Sequence, residues 1–245
     1  RVAPEQRRTA WLGIVTAGAT MGQLVMVPAT QQLIEGFGWV HTVVILSVVT
    51  ATAIPLAMSL SAVSGNRANR KGPQSLTAAL KEAGSHSGFI LLVLGFFVCG
   101  LQVQFINTHL PAYLTDQGIS GTLAASAVAT IGLFNMLGIW ISGWLGGRLR
   151  MKYLLSWIYL GRALIIFVFI SVPISAVSVL VFAAAIGLLW LATVPLTSGI
   201  VAHVFGTRYM ATLYGIVFMG HQIGSFIGVW LGGSLYDSTD RKSVV

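Results

Sequence analysis

The chain has 245 residues, of which 56% are hydrophobic and 8% are charged, with a formal net charge of +8 and a single cysteine. Soluble proteins carry about 25% charged residues, so this composition excludes an ordinary water-soluble globular protein. A lone cysteine, Cys99, excludes an internal disulfide and a cysteine-based metal site. The basic residues lie at the ends of apolar segments, not along one helical face, which indicates membrane topology and argues against nucleic-acid binding.

Seven apolar stretches predict seven transmembrane helices. A helix needs about 20 residues to cross a bilayer, and each stretch is long enough. The predicted spans are 10–33, 39–63, 88–114, 121–147, 153–172, 174–202 and 209–235. We therefore expect an all-α integral membrane protein. Three connections on one predicted side are short, at 35–38, 116–120 and 172–175, which predicts that the helices they join are antiparallel neighbours.

The charge at the span ends predicts the orientation. Eleven of the 14 Lys and Arg residues fall on one side of the predicted membrane: Arg1, Arg7, Arg8, Arg67, Arg70, Lys71, Lys81, Arg148, Arg150, Lys152 and Arg208. Arg241 and Lys242 fall on the other side, and Arg162 lies inside a span. Since Lys and Arg near span ends resist translocation, we expect the chain to begin in the cytoplasm and to end outside.

One connection, 64–87, is long, polar and basic, and it divides two predicted spans from five. Within it, 75–83 predicts a short helix between glycine and proline breakers. Its apolar residues share one side: Leu76, Ala79, Leu80 and Ala83. A helix on the membrane surface and a partly ordered linker both fit this pattern.

Glycines recur every four residues in the last span, at Gly220, Gly224, Gly228 and Gly232. On a helix with 3.6 residues per turn these positions form one stripe, which drifts by about 40° per step. A stripe without side chains predicts close approach of another helix, since lipid supplies no hydrophobic force for helix association. A sliding surface for a conformational change is compatible with this packing.

Arg162 lies near the middle of the span 153–172, where an arginine costs roughly 3 kcal/mol to insert. The predicted spans contain no Asp or Glu that could neutralise it. A guanidinium matches a carboxylate through two parallel hydrogen bonds, so Arg162 is a candidate for binding a mobile anion. The alternative is structural, with main-chain carbonyls or the side chains of Asn135, Tyr159 or Gln222 as acceptors.

Four further polar residues inside spans are candidates for lining a substrate path. His109 could carry a proton or bind substrate, because histidine changes its charge near neutral pH, or it could be a wetted structural residue. His221 and Gln222 lie beside the glycine stripe, where a site and a helix–helix hydrogen bond are equally compatible. Asn135, with Gly138 and Ser142 along its face, is a weaker candidate.

Motifs of soluble enzymes are absent from the sequence. It contains no phosphate-binding GxxxxGK[ST], dinucleotide-binding GxGxxG, zinc-protease HExxH or GxSxG nucleophile motif. The five histidines are too scattered to suggest a metal site. We therefore expect no enzyme activity, no cofactor and no metal.

Four stretches together resemble a known family: 7–22, THLPAYL at 108–114, GLLWLATVPLTSG at 187–199 and HQIGSFIGVWLGG at 221–233. On these the chain is identified as a member of the major facilitator superfamily, similar to bacterial relatives of the monocarboxylate transporters. The family's loop motif GxxxDRxGRR is only partly present at 143–152. There, Gly143, Arg148 and Lys152 match, whereas Gly147, Arg150 and Met151 stand in place of Asp, Gly and Arg.

The resemblance implies a partial bundle in the inner (plasma) membrane. Residues 1–63 would be the last two helices of an N-terminal half, 64–87 the central cytoplasmic loop, and 88–245 the first five helices of a C-terminal half. The partners would be the lipid bilayer, a small-molecule substrate, a proton if transport is coupled, and the missing helices of the same protein.

The expected function is movement of a small solute, an organic anion such as a monocarboxylate, by alternating access between two helix bundles. It could be proton-coupled or facilitated. The expected substrate-binding residues are Arg162, His109, His221, Gln222 and Asn135. A seven-span receptor or light-driven pump is an alternative, although the predicted orientation is opposite and no span carries a lysine. A non-transporting membrane scaffold is a third possibility.

Overall fold

The computed structural model describes residues 8–55, 58 and 75–239. Its helices, in chain order, are α1 Arg8–Ala51, α2 Leu76–Ser85, α3 Ser87–Asp116, α4 Gly121–Gly146, α5 Met151–Ser171, α6 Ala176–Leu189, α7 Thr193–Phe205 and α8 Met210–Thr239. This described part of the chain contains no β-strand. The predicted all-α fold is confirmed.

Six helical segments among the described residues are long and apolar enough to cross a membrane. They are Gly36–Pro55, Ser87–Asp116, Gly121–Gly146, Met151–Ser171, Ala176–Phe205 and Met210–Ser238. Large apolar side chains such as Trp157, Phe167 and Ile170 on α5 are exposed, as expected for helices that face lipid. The predicted span 10–33 has a helical backbone within α1, and the structure describes only a few of its side chains.

The predicted turn at 35–38 is reduced to one non-helical residue. Gly38 has φ 73° and ψ 166°, and two helical stretches join there within α1. This φ lies in the left-handed region, which glycine adopts without a steric penalty. The turns 117–120 and 172–175 form as predicted, and the helices that each of them joins are in contact.

The chain divides into two compact units, one of which is Gly22–Ser75 and the other Arg1–Met21 with Leu76–Val245. Within the second unit, α3 packs most extensively on α8, and α4 packs next most extensively on α6. The fully buried side chains between these helices include Phe96, Leu114, Ile139, Ile186 and Leu213. Helices α3 to α8 therefore form one apolar core, which positions the residues described below.

The short helix predicted at 75–83 is observed as α2. Ala79 and Ala83 are buried, and α2 contacts α3, so this side of the helix faces protein. Leu76, which was expected on the same apolar side, is exposed because it begins the helix. Gly84 lies in the last turn and does not end the helix. Residues 64–74 of the predicted linker lie outside the described residues.

The glycine stripe of α8 packs on α3, as predicted. Each of its glycines meets a different residue of that helix: Gly220 meets Val93, Gly224 meets Phe97, Gly228 meets Leu101 and Gly232 meets His109. A Cβ atom on Gly224 or Gly228 would collide with a main-chain carbonyl oxygen of α3. The backbones of α3 and α8 can therefore be this close only because those positions lack a side chain.

The span predicted as one helix at 174–202 is interrupted at residues 190–192, which we call the α6–α7 break. Its cause lies in the sequence, at Pro195. A proline has no N–H for the carbonyl four residues earlier, here that of Leu191, and its ring crowds that carbonyl. The Leu191 carbonyl instead accepts a hydrogen bond from the N–H of Val194 at 3.0 Å, which tightens the turn.

Candidate functional site

A groove of about 710 Å³ lies beside α3 and α8, near the middle of both helices. Its lining residues are Gln104 of α3 and His221, Gln222, Ser225, Phe226, Val229 and Trp230 of α8. Clefts that bind small ligands have volumes of about 300–1,000 Å³ and combine apolar walls with a few polar groups. The groove has both features, since amide, hydroxyl and imidazole groups lie next to two aromatic rings.

The spacing of the lining residues follows from the helical repeat. Residues 221, 225 and 229 recur every four positions on α8, so they form a row along one face. The glycine stripe forms the adjacent row and draws α3 close. Gln104 can therefore reach the groove from the neighbouring helix.

His221 is buried at the inner wall of the groove. Its ring lies 4.9 Å from the Phe96 ring and is stacked on Phe218 at 5.6 Å, centroid to centroid. The Nδ1 atom lies 3.4 Å from Oε1 of Gln222 and 3.5 Å from Oγ of Ser225. The imidazole thus contacts aromatic rings on one side and the polar groups of the groove on the other.

Ser225 links the groove to the backbone of α3. Its hydroxyl donates a hydrogen bond to the carbonyl of Gly100 at 3.3 Å. At Gly100 itself, a Cβ atom would collide with the main-chain carbonyl of His221. One residue of α3 therefore contacts two of the groove residues through main-chain atoms.

Arg162 does not line the groove; it is buried, with 1% of its surface exposed. Its Nε donates to the carbonyl of Leu189 at 2.9 Å, and its Nη2 donates to the carbonyls of Leu189, at 2.6 Å, and Trp190. Its Nη1 donates to Sγ of Cys99 at 3.1 Å. The alternative to anion binding was a structural role for Arg162, with main-chain carbonyls as one possible set of acceptors. In this structure main-chain carbonyls do accept hydrogen bonds from the guanidinium.

The position of Arg162 at the end of α6 has an electrostatic reason. The last carbonyls of a helix have no partner within it and carry the negative end of the helix dipole. Leu189 is the last residue of α6, and the break exposes its carbonyl and that of Trp190 to the guanidinium. A cation is stabilised there even though no carboxylate is near in sequence.

Asn135 also lies at the α6–α7 break and not in the groove. It is buried, and its Oδ1 accepts a hydrogen bond from the N–H of Leu191 at 3.0 Å. On the same face of α4, Gly138 is in close contact with the backbone of Leu188. This face, which was expected to border a cavity, is packed against the break.

His109 lies on α3 at the outer end of the stripe. Its Nε2 lies 3.3 Å from the carbonyl of Val229, and its ring lies 5.0 Å from that of Phe105. A Cβ atom on Gly232 would collide with this imidazole. His109 is therefore a contact between α3 and α8 in this structure.

The structure thus separates the five predicted site residues into three places. His221 and Gln222 lie together in the groove, Arg162 and Asn135 lie together at the break, and His109 lies between two helices. Their assignment to substrate binding stays a prediction.

The list of candidates from the sequence lacked three residues that matter to these sites. Gln104 and Ser225 line the groove, and the only signal for them was their place among other polar residues on a span. Cys99 was considered for the disulfide and the metal site that a lone cysteine excludes, but it accepts a hydrogen bond from Arg162 and lies 3.5 Å from Oγ1 of Thr193.

The described residues contain no group of three or more His, Cys, Asp or Glu side chains that could hold a metal ion. Among helices α3 to α8 the acidic residues lie at helix ends, with Asp116 at the end of α3 and Asp237 near the end of α8. Within the groove lining, His221 has the one ionisable side chain.

Comparison with known proteins agrees with this architecture. The family model of the Major Facilitator Superfamily matches residues 1–229. The chain is 25% identical over 243 residues to the uncharacterized MFS-type transporter YcxA of Bacillus subtilis, covering 93% of this chain and 57% of that protein. It is 26% identical over 250 residues to monocarboxylate transporter 11 of Mus musculus, covering 96% and 54% respectively. Monocarboxylate transporter 13 of Rattus norvegicus is 23% identical over 245 residues, covering 96% and 54%.

The chain spans about half the length of these curated relatives. The family match, in contrast, extends over most of the chain, from the first described helix into α8. Together with the six apolar helices, it shows that the chain is a multi-pass membrane protein and belongs to the Major Facilitator Superfamily.

Proposed function

We propose that the intact gene product transports a small organic anion of the monocarboxylate class, and that the groove beside α3 and α8 is part of the substrate path. The observation that carries this proposal is the lining of the groove, in which polar groups of two helices converge beside aromatic side chains. The names of two relatives, monocarboxylate transporters 11 and 13, support the substrate class.

The chemistry of the groove suits a short carboxylate. A protonated His221 supplies a positive charge, and Gln104, Gln222 and Ser225 supply neutral hydrogen-bonding groups. The rings of Phe226 and Trp230 offer an apolar surface for the carbon chain of the solute. Carboxylate and proton would then enter the groove together, which gives His221 a role in proton-coupled transport.

The proposed architecture places this groove in one half of a two-bundle transporter. We infer that 1–63 supplies the last helices of the first half, that 64–87 is the central loop, and that 88–245 begins the second half. In such transporters the substrate site lies near the bilayer midplane between the halves. The position of the groove near the middle of α3 and α8 supports this inference.

Uptake by proteoliposomes that contain the intact gene product tests the proposal. We expect saturable uptake of radiolabelled lactate and pyruvate that an inwardly directed proton gradient stimulates. His221→Gln should remove the stimulation, and Gln104→Leu should raise KM by at least about tenfold, since a lost hydrogen bond to a charged ligand costs about 1.5–3 kcal/mol.

Gln102→Leu is the matched control, because it is the same substitution on α3 at a residue outside the groove lining. Its uptake should equal that of the wild type. Absence of uptake for any short monocarboxylate would refute the proposed substrate class. Saturable binding without uptake would instead favour the receptor alternative.

A further inference from the structure

Side chains from three other helices contact the α6–α7 break and the helix ends on either side of it. Arg162 of α5 donates to the carbonyls of Leu189 and Trp190, and Asn135 of α4 accepts from the N–H of Leu191. Cys99 of α3 accepts from the same guanidinium and contacts Thr193, the first residue of α7. Arg162 thus connects the break to α3 through Cys99.

The contacts of Arg162 require a guanidinium and not only a positive charge. Its Nε and Nη2 share the carbonyl of Leu189, while Nη1 on the other branch reaches Cys99 at 3.1 Å. This uses the planar, forked arrangement of donors. A lysine ammonium has the same charge, but all of its donors lie on one nitrogen, so it cannot reproduce this fork.

The connection continues along α3 by one residue. Cys99 is followed by Gly100, whose carbonyl accepts a hydrogen bond from Ser225 at 3.3 Å. The Cα of Gly100 also lies against the main-chain carbonyl of His221. The turn of α3 that Arg162 contacts is therefore the turn on which two groove residues are seated.

We propose that Arg162 is a positioning residue of the groove. Through Cys99 it fixes the position of the turn of α3 in which Gly100 contacts His221 and Ser225. Its own charge is stabilised by the main-chain carbonyls at the C-terminal end of α6. This role differs from direct pairing with a substrate carboxylate. The inference rests on the proposed function only where substrate affinity is measured, because the placement of α3 is a property of the protein alone.

Trp230 provides a reporter that needs no substrate, since it lines the groove. Its emission in the detergent-solubilised intact gene product is obtained by subtracting the spectrum of the Trp230→Phe variant in the same background. We expect Arg162→Lys and Cys99→Ala each to shift this emission, and the double variant to shift it no further than Arg162→Lys alone. Non-additivity of this kind identifies two residues that act through one contact.

The control variants separate this effect from a general loss of structure. Arg208→Lys is the same substitution at an exposed arginine whose guanidinium lies over the Tyr209 ring, and it should leave the Trp230 emission unchanged. Cys99→Ser retains a side-chain acceptor and should restore the wild-type emission. If Arg162→Lys does not yield folded protein, Cys99→Ala decides, because it removes one acceptor and no charge.

Lactate titration of the same samples, read by quenching of Trp230, completes the test. We expect Arg162→Lys and Cys99→Ala to raise the Kd for lactate by similar factors, about tenfold. An unchanged Trp230 emission in both folded variants would overturn the inference. A raised Kd in Arg162→Lys alone, with that emission unchanged, would show direct pairing with the carboxylate. If wild-type protein does not respond to lactate, the proposed substrate class fails, and the substrate-free emission still decides the role of Arg162.

Discussion

The side-chain oxygen of Asn135 accepts a hydrogen bond from the main-chain N–H of Leu191 at 3.0 Å, in the middle of the α6–α7 break. A break inside a membrane leaves peptide groups without helical partners, and lipid cannot supply any. Asn135 therefore supplies a hydrogen-bond acceptor for an N–H group, and Arg162 supplies donors for two carbonyls. The break persists because side chains from neighbouring helices complete its hydrogen bonds.

Replacing Asn135 tests this role. Asn135→Leu should lower the free energy of unfolding by about 1–3 kcal/mol, because it leaves a buried N–H without an acceptor. The measurement is thermal or denaturant unfolding of the detergent-solubilised protein. Asn107→Leu, at an exposed amide on α3, is the matched control and should change stability by less than about 0.5 kcal/mol. Equal losses in the two variants would contradict the structural role of Asn135.

The glycine stripe gives a prediction for packing. Gly224→Ala should destabilise the protein by about 1–3 kcal/mol, since the new Cβ atom would meet the Phe97 carbonyl and force α3 and α8 apart. Gly233→Ala is the control, because no atom lies within 4 Å of its Cβ position. That variant should keep or gain up to about 1 kcal/mol, as alanine has the higher helix propensity. A stable Gly224→Ala variant would refute the close contact.

His109 and His221 are predicted to respond differently to the same substitution. His109→Leu should lower stability by about 0.5–1.5 kcal/mol, through loss of its contact with the Val229 carbonyl, and leave the Kd for lactate unchanged. His221→Leu should raise that Kd by at least about tenfold, because it removes the charged group of the groove. Titration followed by Trp230 fluorescence and a parallel unfolding curve measure both effects. Loss of affinity in His109→Leu would support the prediction that this residue binds substrate or a proton.

The orientation inferred from the basic residues can be measured with reporter fusions. Alkaline phosphatase, which is active only after export, should be active when fused after Gly118 or Val245. It should be inactive when fused after Leu149, in the turn that carries Arg148 and Arg150. The opposite pattern of activity would match the receptor-like topology and contradict the assignment of the basic turns to the cytoplasm.

The features that could be predicted from the sequence depend on spacing along one helix. The stripe from Gly220 to Gly232 predicted a close helix contact, and α3 lies at that stripe. His221 and Gln222 were placed beside it by helical geometry alone and line the groove. Such patterns are visible because a helix converts sequence spacing directly into a face.

The features that could not be predicted depend on which helices meet. Arg162 has no acidic partner in the predicted spans, and its main-chain partners are the carbonyls of Leu189 and Trp190, where the next span is interrupted. Residues 174–202 were predicted as one span, and neither the place of the interruption at 190–192 nor the helix that faces it follows from spacing along that span. Gln104 reaches the groove only because α3 and α8 lie side by side.

The α6–α7 break has a consequence for biogenesis. Helices α6 and α7, with 14 and 13 residues, are each shorter than the about 20 residues that cross a bilayer, so they have to enter it as one unit. The acceptors of Arg162 belong to this unit, which leaves the ribosome after α5. Before this unit is synthesised, the Arg162 guanidinium of α5 lacks its carbonyl acceptors. A nascent chain that ends at Ser171 therefore has the full free-energy cost of an arginine inside the bilayer. Stable insertion of α5 therefore requires α6 and α7, and the translocon has to retain these three helices together.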